Sequence, residues 1–154
     1  MAHYYFDSSA LVKRYVVETG TGWVTALCTP EAGHAINLVR ITGAEMIAAF
    51  FRRVQAGSLT PTEAQSAAAH FRRELRGRYD IIEVTEAVVD TAMRLAEIHA
   101  LRSYDAVQLA AALELQSVRA SFNLPALIFV SADQRLNAVA ATEGPPVENP
   151  NNYP

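Results

Sequence analysis

Four carboxylates in this chain occupy positions suited to chemistry. Asp7 directly follows the strand-like run His3-Tyr4-Tyr5-Phe6, and Asp133 follows the apolar run Ala126–Val130 by way of Ser131-Ala132. Glu45 and Asp105 each fall in the first turn of a helical stretch. In an open α/β sheet, ligands gather beyond the carboxyl ends of the strands. Steps of three and four residues from Asp105 reach Gln108, Leu109, Ala112 and Leu113, a largely apolar stripe that turns the carboxylate inward. Ala48 and Ala49 lie one turn beyond Glu45 and make the same case. Buried carboxylates without partners are costly, and several together raise one another's pKa. They need either a basic partner or a divalent cation. An oxygen-only donor set favours Mg²⁺ or Mn²⁺, and such a site suits phosphodiester hydrolysis. His3, His34, His70 and His99 show no zinc-ligand spacing, and Cys28 is solitary. Asp7 also reads as a helix N-cap, and Thr42 with Glu45 as a capping box; what weighs against these plainer readings is the shared situation of all four acids.

The elements that must position these acids alternate. His3–Phe6, His34–Arg40, Asp80–Val84 and Ala126–Val130 read as strands, with Val147–Glu148 as a short fifth. Helices are expected over Ser8–Val17, Trp23–Cys28, Thr42–Gln55 and a stretch ending at Arg76. Thr60-Pro61-Thr62-Glu63 starts the last of these with a full capping box. The latter two form a mid-chain αα-hairpin. Further helices follow Thr85 to His99, Tyr104 to Arg119, and Asp133 to Thr142. Strands separated by helices argue for an α/β fold with a mostly parallel sheet. Residues 1–150 read as one domain and 151–154 as a loose tail.

Composition narrows the classes. The 154 residues are 51% hydrophobic and 19% charged, which is globular and not disordered. The formal net charge of -3 excludes a global positive field, so a nucleic-acid surface has to be local. One cysteine excludes an internal disulfide. No apolar run approaches the roughly 18 residues of a membrane span, and no secretory leader is visible, so a cytoplasmic protein is expected. Gly20-x-Gly22 lacks a dinucleotide fingerprint, and no Walker loop exists.

Taken in order, Phe6-Asp7-Ser8-Ser9-Ala10-Leu11-Val12-Lys13, the mid-chain Glu45, Leu101-Arg102-Ser103-Tyr104-Asp105-Ala106-Val107-Gln108-Leu109-Ala110 and Val130-Ser131-Ala132-Asp133-Gln134-Arg135-Leu136 resemble the motifs of PIN-domain nucleases. More narrowly they resemble VapC toxins of toxin–antitoxin pairs, as does the closing Glu148-Asn149-Pro150. The resemblance implies a PIN-like three-layer fold and a Mg²⁺- or Mn²⁺-dependent endoribonuclease, dimeric and silenced by a cognate antitoxin. It assigns Asp7, Glu45, Asp105 and Asp133 to catalysis and metal binding. Asp133 stands at the position that varies in the family, with Ser131 as the alternative donor and Ser8 as a supporting hydroxyl or N-cap. The three acids Asp7, Glu45 and Asp105 are then expected around one hydrated ion.

RNA requires a local positive track. Lys13, Arg14 and Arg102 lie nearest the acids in sequence, and Arg52, Arg53, Arg72, Arg73, Arg76 and Arg78 surround the hairpin, with Arg72 and Arg76 on one helix face. A basic C-terminal segment of the antitoxin is expected along a groove between the early helices and the hairpin. The competing readings are a non-catalytic interaction module with the same fold and a phosphatase or receiver-like aspartate site. The latter is disfavoured because Asp7-Ser8-Ser9 has no acid two residues on.

Overall fold

A computed structural model describes residues 1–154. Strands β1 (His3–Phe6), β2 (Ala35–Val39), β3 (Asp80–Ile82), β4 (Ile128–Val130) and β5 (Val147–Glu148) alternate with helices α1 (Ser8–Tyr15), α2 (Thr21–Cys28), α3 (Thr42–Gln55), α4 (Pro61–Leu75), α5 (Glu86–His99), α6 (Ser103–Ser121) and α7 (Gln134–Glu143). All strand pairs are parallel, in the order β3-β2-β1-β4-β5. β1 lies at the centre, in register Tyr5↔Asn37 on one side and Phe6↔Val130 on the other.

Side chains alternate across a strand, and β1 uses this to join two cores. Phe6 enters a layer with Leu11, Ile36, Leu38, Phe50 and Phe71, formed with α1 to α4. Tyr5 enters the opposite layer with Val39, Leu95, Leu109, Leu127 and Phe129, formed with α5 to α7. The result is the expected three-layer α/β arrangement. The α3–α4 hairpin turns through Gly57, at φ +80°. Its second helix opens on the predicted capping box: Glu63 N donates to Thr60 Oγ1 at 3.2 Å, and Thr60 N to Glu63 Oε2 at 2.7 Å.

Several boundaries differ from expectation for local reasons. β4 begins at Ile128 because Leu127 N donates to Gln116 Oε1, at 2.6 Å, instead of to a strand. β3 ends at Ile82 because its partner β2 ends opposite it at Val39. The C-terminal residues are not a loose tail. Pro150–Asn152 form a 3₁₀ turn with Pro150 buried, and the Tyr153 ring stacks on Trp23 at 4.5 Å between centroids. Gly20 permits this closure: its φ is +90°, and a Cβ there would lie 2.4 Å from the Pro150 carbonyl oxygen.

Candidate active site

Asp7 extends β1 by one residue. Its N–H donates to the Val130 carbonyl at 3.0 Å, which places its side chain at the carboxyl edge of the two central strands. The N-cap reading is correct as far as it goes, since Ala10 N donates to Oδ1 at 3.0 Å. The side chain is also buried and fully engaged: Ser9 Oγ donates to Oδ1 and Ser131 Oγ to Oδ2, each at 2.7 Å. Burial pushes its pKa up to about 6, against these hydrogen bonds and with a further contribution from the Glu45 charge.

Glu45 is not a capping-box member. α3 starts at Thr42 without a side-chain cap, so the Glu45 carboxylate is available for tertiary contacts. Ser8 Oγ donates to Oε2 at 2.9 Å and Gln108 Nε2 to Oε1 at 2.8 Å. Gln108 is itself buried: its amide also donates to Thr42 Oγ1 at 2.9 Å, and its oxygen accepts from Tyr5 OH at 2.7 Å. Burial raises the Glu45 pKa, opposed by Gln108 and Ser8 and reinforced by Asp105. Asp105 is half-buried in the first turn of α6; burial raises its pKa, and the neighbouring Asp133 charge adds to the rise.

The acids thus form a row, with Asp7 next to Glu45, Glu45 next to Asp105 and Asp105 next to Asp133. The three acids expected around one hydrated ion do not form a preformed shell: no three His, Cys, Asp or Glu side chains converge closely enough to make a ready metal-binding group. The hydrogen bonds already described hold Asp7 and Glu45 to separate partners, and like charge opposes closer approach. Asp133 lies at the exposed end of the row. Its Oδ1 caps α7, accepting from Arg135 N at 2.9 Å and Leu136 N at 3.1 Å. Ser131, fully buried and bonded to Asp7, is the more deeply built of the two alternatives.

None of the four acids makes an ion pair, although cations are close by. Lys13 and Arg53 both turn to Glu18, at 3.7 and 2.7 Å. Arg14 is committed to Glu74 on α4, with Nε to Oε2 at 2.8 Å, which withdraws it from the expected RNA track. Arg72 and Arg76 are exposed, but α4 runs directly through Arg76 into the start of β3, which puts them toward the amino edge of the sheet, opposite the acids. Arg102 does lie beside the site. With Arg52, Tyr104, Glu45 and Asp105 it lines a cleft of about 720 Å³ between α3 and the start of α6. A smaller cleft of about 360 Å³ beside it is lined by Ser8, Ser9, Lys13, Arg52 and Arg53. Sequence reasoning did not single out Gln108 or Tyr5; the available signal was one amide in the apolar stripe that begins at Asp105.

No protein-family model matches the chain. Two curated proteins of Mycobacterium tuberculosis, Ribonuclease VapC45 (strain CDC 1551 / Oshkosh) and Ribonuclease VapC49 (strain ATCC 25618 / H37Rv), are each 32% identical to it over 140 residues, covering 91% of this chain and 90% of theirs. Among solved structures, FitAcB from Neisseria gonorrhoeae superposes with a TM-score of 0.64 at 16% identity, over 95% of this chain and 96% of that one. VapBC2 from Rickettsia felis, bound to a promoter DNA fragment, gives 0.58 at 15% identity over 95% and 97%. A toxin–antitoxin complex from Klebsiella pneumoniae gives 0.58 at 16% over 96% and 97%. These structural matches support the fold, and the level and extent of identity to the two ribonucleases carry the assignment: the chain belongs to the VapC ribonuclease family, on a PIN-type α/β fold.

Proposed function

We propose that this chain is a divalent-metal-dependent endoribonuclease, the toxin of a toxin–antitoxin pair, with its site at Asp7, Glu45, Asp105 and Asp133. The observation that carries this reading is the row of acids without ion-pair partners at the carboxyl edge of the sheet, while adjacent lysine and arginine side chains pair elsewhere. Its donors are all oxygen, which fits Mg²⁺ or Mn²⁺. Mg²⁺ commonly binds through only one or two carboxylates and keeps several waters, so an open row suits it without a closed cage. Asp7, Glu45 and Asp105 would hold the ion, with Asp133 at the outer end. Such an ion supplies an activated water and charge stabilisation at the leaving oxygen. The chain's own part is orientation: Ser9 and Ser131 fix the Asp7 oxygens, and Ser8 and Gln108 fix those of Glu45.

The surface supports two partners. A third depression, about 560 Å³ and away from the acids, is lined by Tyr15, Val16, Val17, Leu59, Ala67 and His70, between the end of α1 and the hairpin. It supports an antitoxin whose C-terminal segment folds along this groove and brings a basic residue toward Asp7 and Asp105, since Arg pairs bidentately with carboxylates. Exposed Phe51, Val89, Met93 and Ile98 support a two-fold homodimer. No helix is long and apolar enough to cross a membrane, and the cytoplasm is the compartment in which an RNA-cleaving toxin meets its substrate. The test is cleavage of mixed structured RNAs by the purified protein with Mg²⁺, with Mn²⁺ and with chelator. Metal-dependent products are expected; cleavage undiminished by chelator, or none with either ion, rejects the reading. The antitoxin C-terminal peptide should inhibit cutting, and tight binding without inhibition rejects active-site plugging.

A further inference from the structure

Arg52 and Arg102 differ from the other cations near the acids. Lys13, Arg14 and Arg53 are held by carboxylates and Arg135 by the Ala100 carbonyl at 3.0 Å, whereas Arg52 and Arg102 are exposed and make neither an ion pair nor a side-chain hydrogen bond. Both line the larger cleft. Tyr104 lines the same cleft, 56% exposed, its hydroxyl without a partner and its ring against no other aromatic. The α3 wall of this cleft carries Glu45 and Arg52 and is otherwise only the methyl groups of Ala44 and Ala48. α6 starts here without a side-chain cap, so its first N–H groups have no side-chain acceptor.

We infer that this cleft binds one unpaired nucleotide of the RNA beside the scissile phosphate, its base stacked on Tyr104 and its flanking phosphates on Arg52 and Arg102. The inference rests on the nuclease reading and assigns Tyr104, Arg52 and Arg102 as the residues that position the substrate strand. An aromatic ring can stack only on a base whose face is free, which a duplex does not offer. Stacking tolerates any base, so Tyr104 selects strandedness more than sequence. The two guanidiniums also offset the repulsion that a row of acids exerts on a phosphate backbone.

The test is binding of a short fluorescein-labelled RNA, single-stranded or annealed to its complement, with chelator present so that no cutting occurs. Wild type should prefer the single strand. Tyr104→Ala should weaken binding by about tenfold, and Tyr104→Trp should restore it. Arg52→Gln and Arg102→Gln should each lower the slope of log affinity against log salt by about 0.7. In cleavage with metal, Tyr104→Ala should raise KM more than it lowers kcat. If the wild type cuts RNA yet Tyr104→Ala binds it unchanged, the cleft is wrong and the nuclease reading stands. Equal affinity for duplex also overturns the proposal. So does a lower oligomeric state for Tyr104→Ala than for wild type in light scattering, which places Tyr104 in a contact between copies. A wild type that neither binds nor cuts overturns the cleft and the nuclease reading together.

Discussion

Replacing Asp7 by Asn tests whether its charge is there to be met by a cation. Burial moves the carboxyl from an ordinary 3.8 to about 6. A carboxyl with a raised native pKa costs stability wherever it is ionised, so the cost is complete above pH 6 and gone below 3.8. The gap between the two values corresponds to about 3 kcal/mol in the ion-free protein. Asn keeps the oxygen that accepts from Ala10 and Ser9 and offers Ser131 an N–H, but carries no charge. Urea denaturation at pH 8 with chelator should therefore find Asp7→Asn more stable than wild type, by up to about 3 kcal/mol. The advantage should shrink as pH falls through 6 and vanish below 4. Mn²⁺ at a thousand times its dissociation constant should reverse the order, because it stabilises the wild type by about 4.1 kcal/mol. Cleavage should fall by about a hundredfold or more. A variant that is less stable than wild type by the same amount at every pH, and still cuts, would show that Asp7 only caps α1 and refute the reasoning.

Other perturbations separate site from scaffold. Asp105→Asn should abolish cleavage in the same RNA assay while the ion-free melting temperature holds or rises, because a like charge is removed from beside Glu45 and Asp133. Gln108→Leu leaves the buried Tyr5 hydroxyl and one Glu45 oxygen without their partner; urea titration should show a loss of about 1–3 kcal/mol, and Mn²⁺ titration a weaker ion. Glu74→Gln breaks the pairing with Arg14 and should cost about 3 kcal/mol at pH 7. Arg14 and the neighbouring tyrosine hydroxyl hold Glu74 down to about 2 despite its burial, so its contribution is present above pH 4.5 and lost as pH falls toward 2. Gly20→Ala forces a side chain into φ +90° against the Pro150 carbonyl; thermal melting should show a loss of about 2 kcal/mol.

Much of the fold was legible because strong local signals agreed. The continuous apolar runs and the Thr60–Glu63 capping box correspond to elements in the structure. What escaped was tertiary. Thr42-x-x-Glu45 has the pattern of a local cap, but Ser8 and Gln108, 37 and 63 residues away from Glu45, capture its carboxylate. Arg14 looked available because its true partner, Glu74, lies 60 residues on. Residues 151–154 looked loose because their composition carries no strand or helix period, and only the spatial nearness of Trp23 and Gly20 to this end of the chain gives it a docking face. Asp7 and Asp133 resembled one another in following an apolar strand; burial and the Ser9 and Ser131 hydroxyls set Asp7 apart.

The distribution of charge explains how an acidic protein can both keep a site open for a cation and approach a polyanion. If Lys13, Arg14 or Arg53 turned to the acid row, buried ion pairs would neutralise it, and an entering ion would have to break them. Instead Glu18 and Glu74 draw those three cations away. Asp7 and Glu45 are steadied by hydroxyls and an amide, which orient the oxygens without cancelling their charge. The cations left free, Arg52 and Arg102, stand at the cleft that opens beside Glu45 and Asp105. Exchanging Glu18 for Gln should therefore act on the site from outside it. Released from Glu18, Lys13 and Arg53 become free to turn toward the acids, so ion affinity measured by Mn²⁺ titration should weaken while binding of RNA in chelator strengthens. Opposite signs for these two measurements are what the charge argument requires, and a Glu18→Gln protein that loses or gains both together would contradict it.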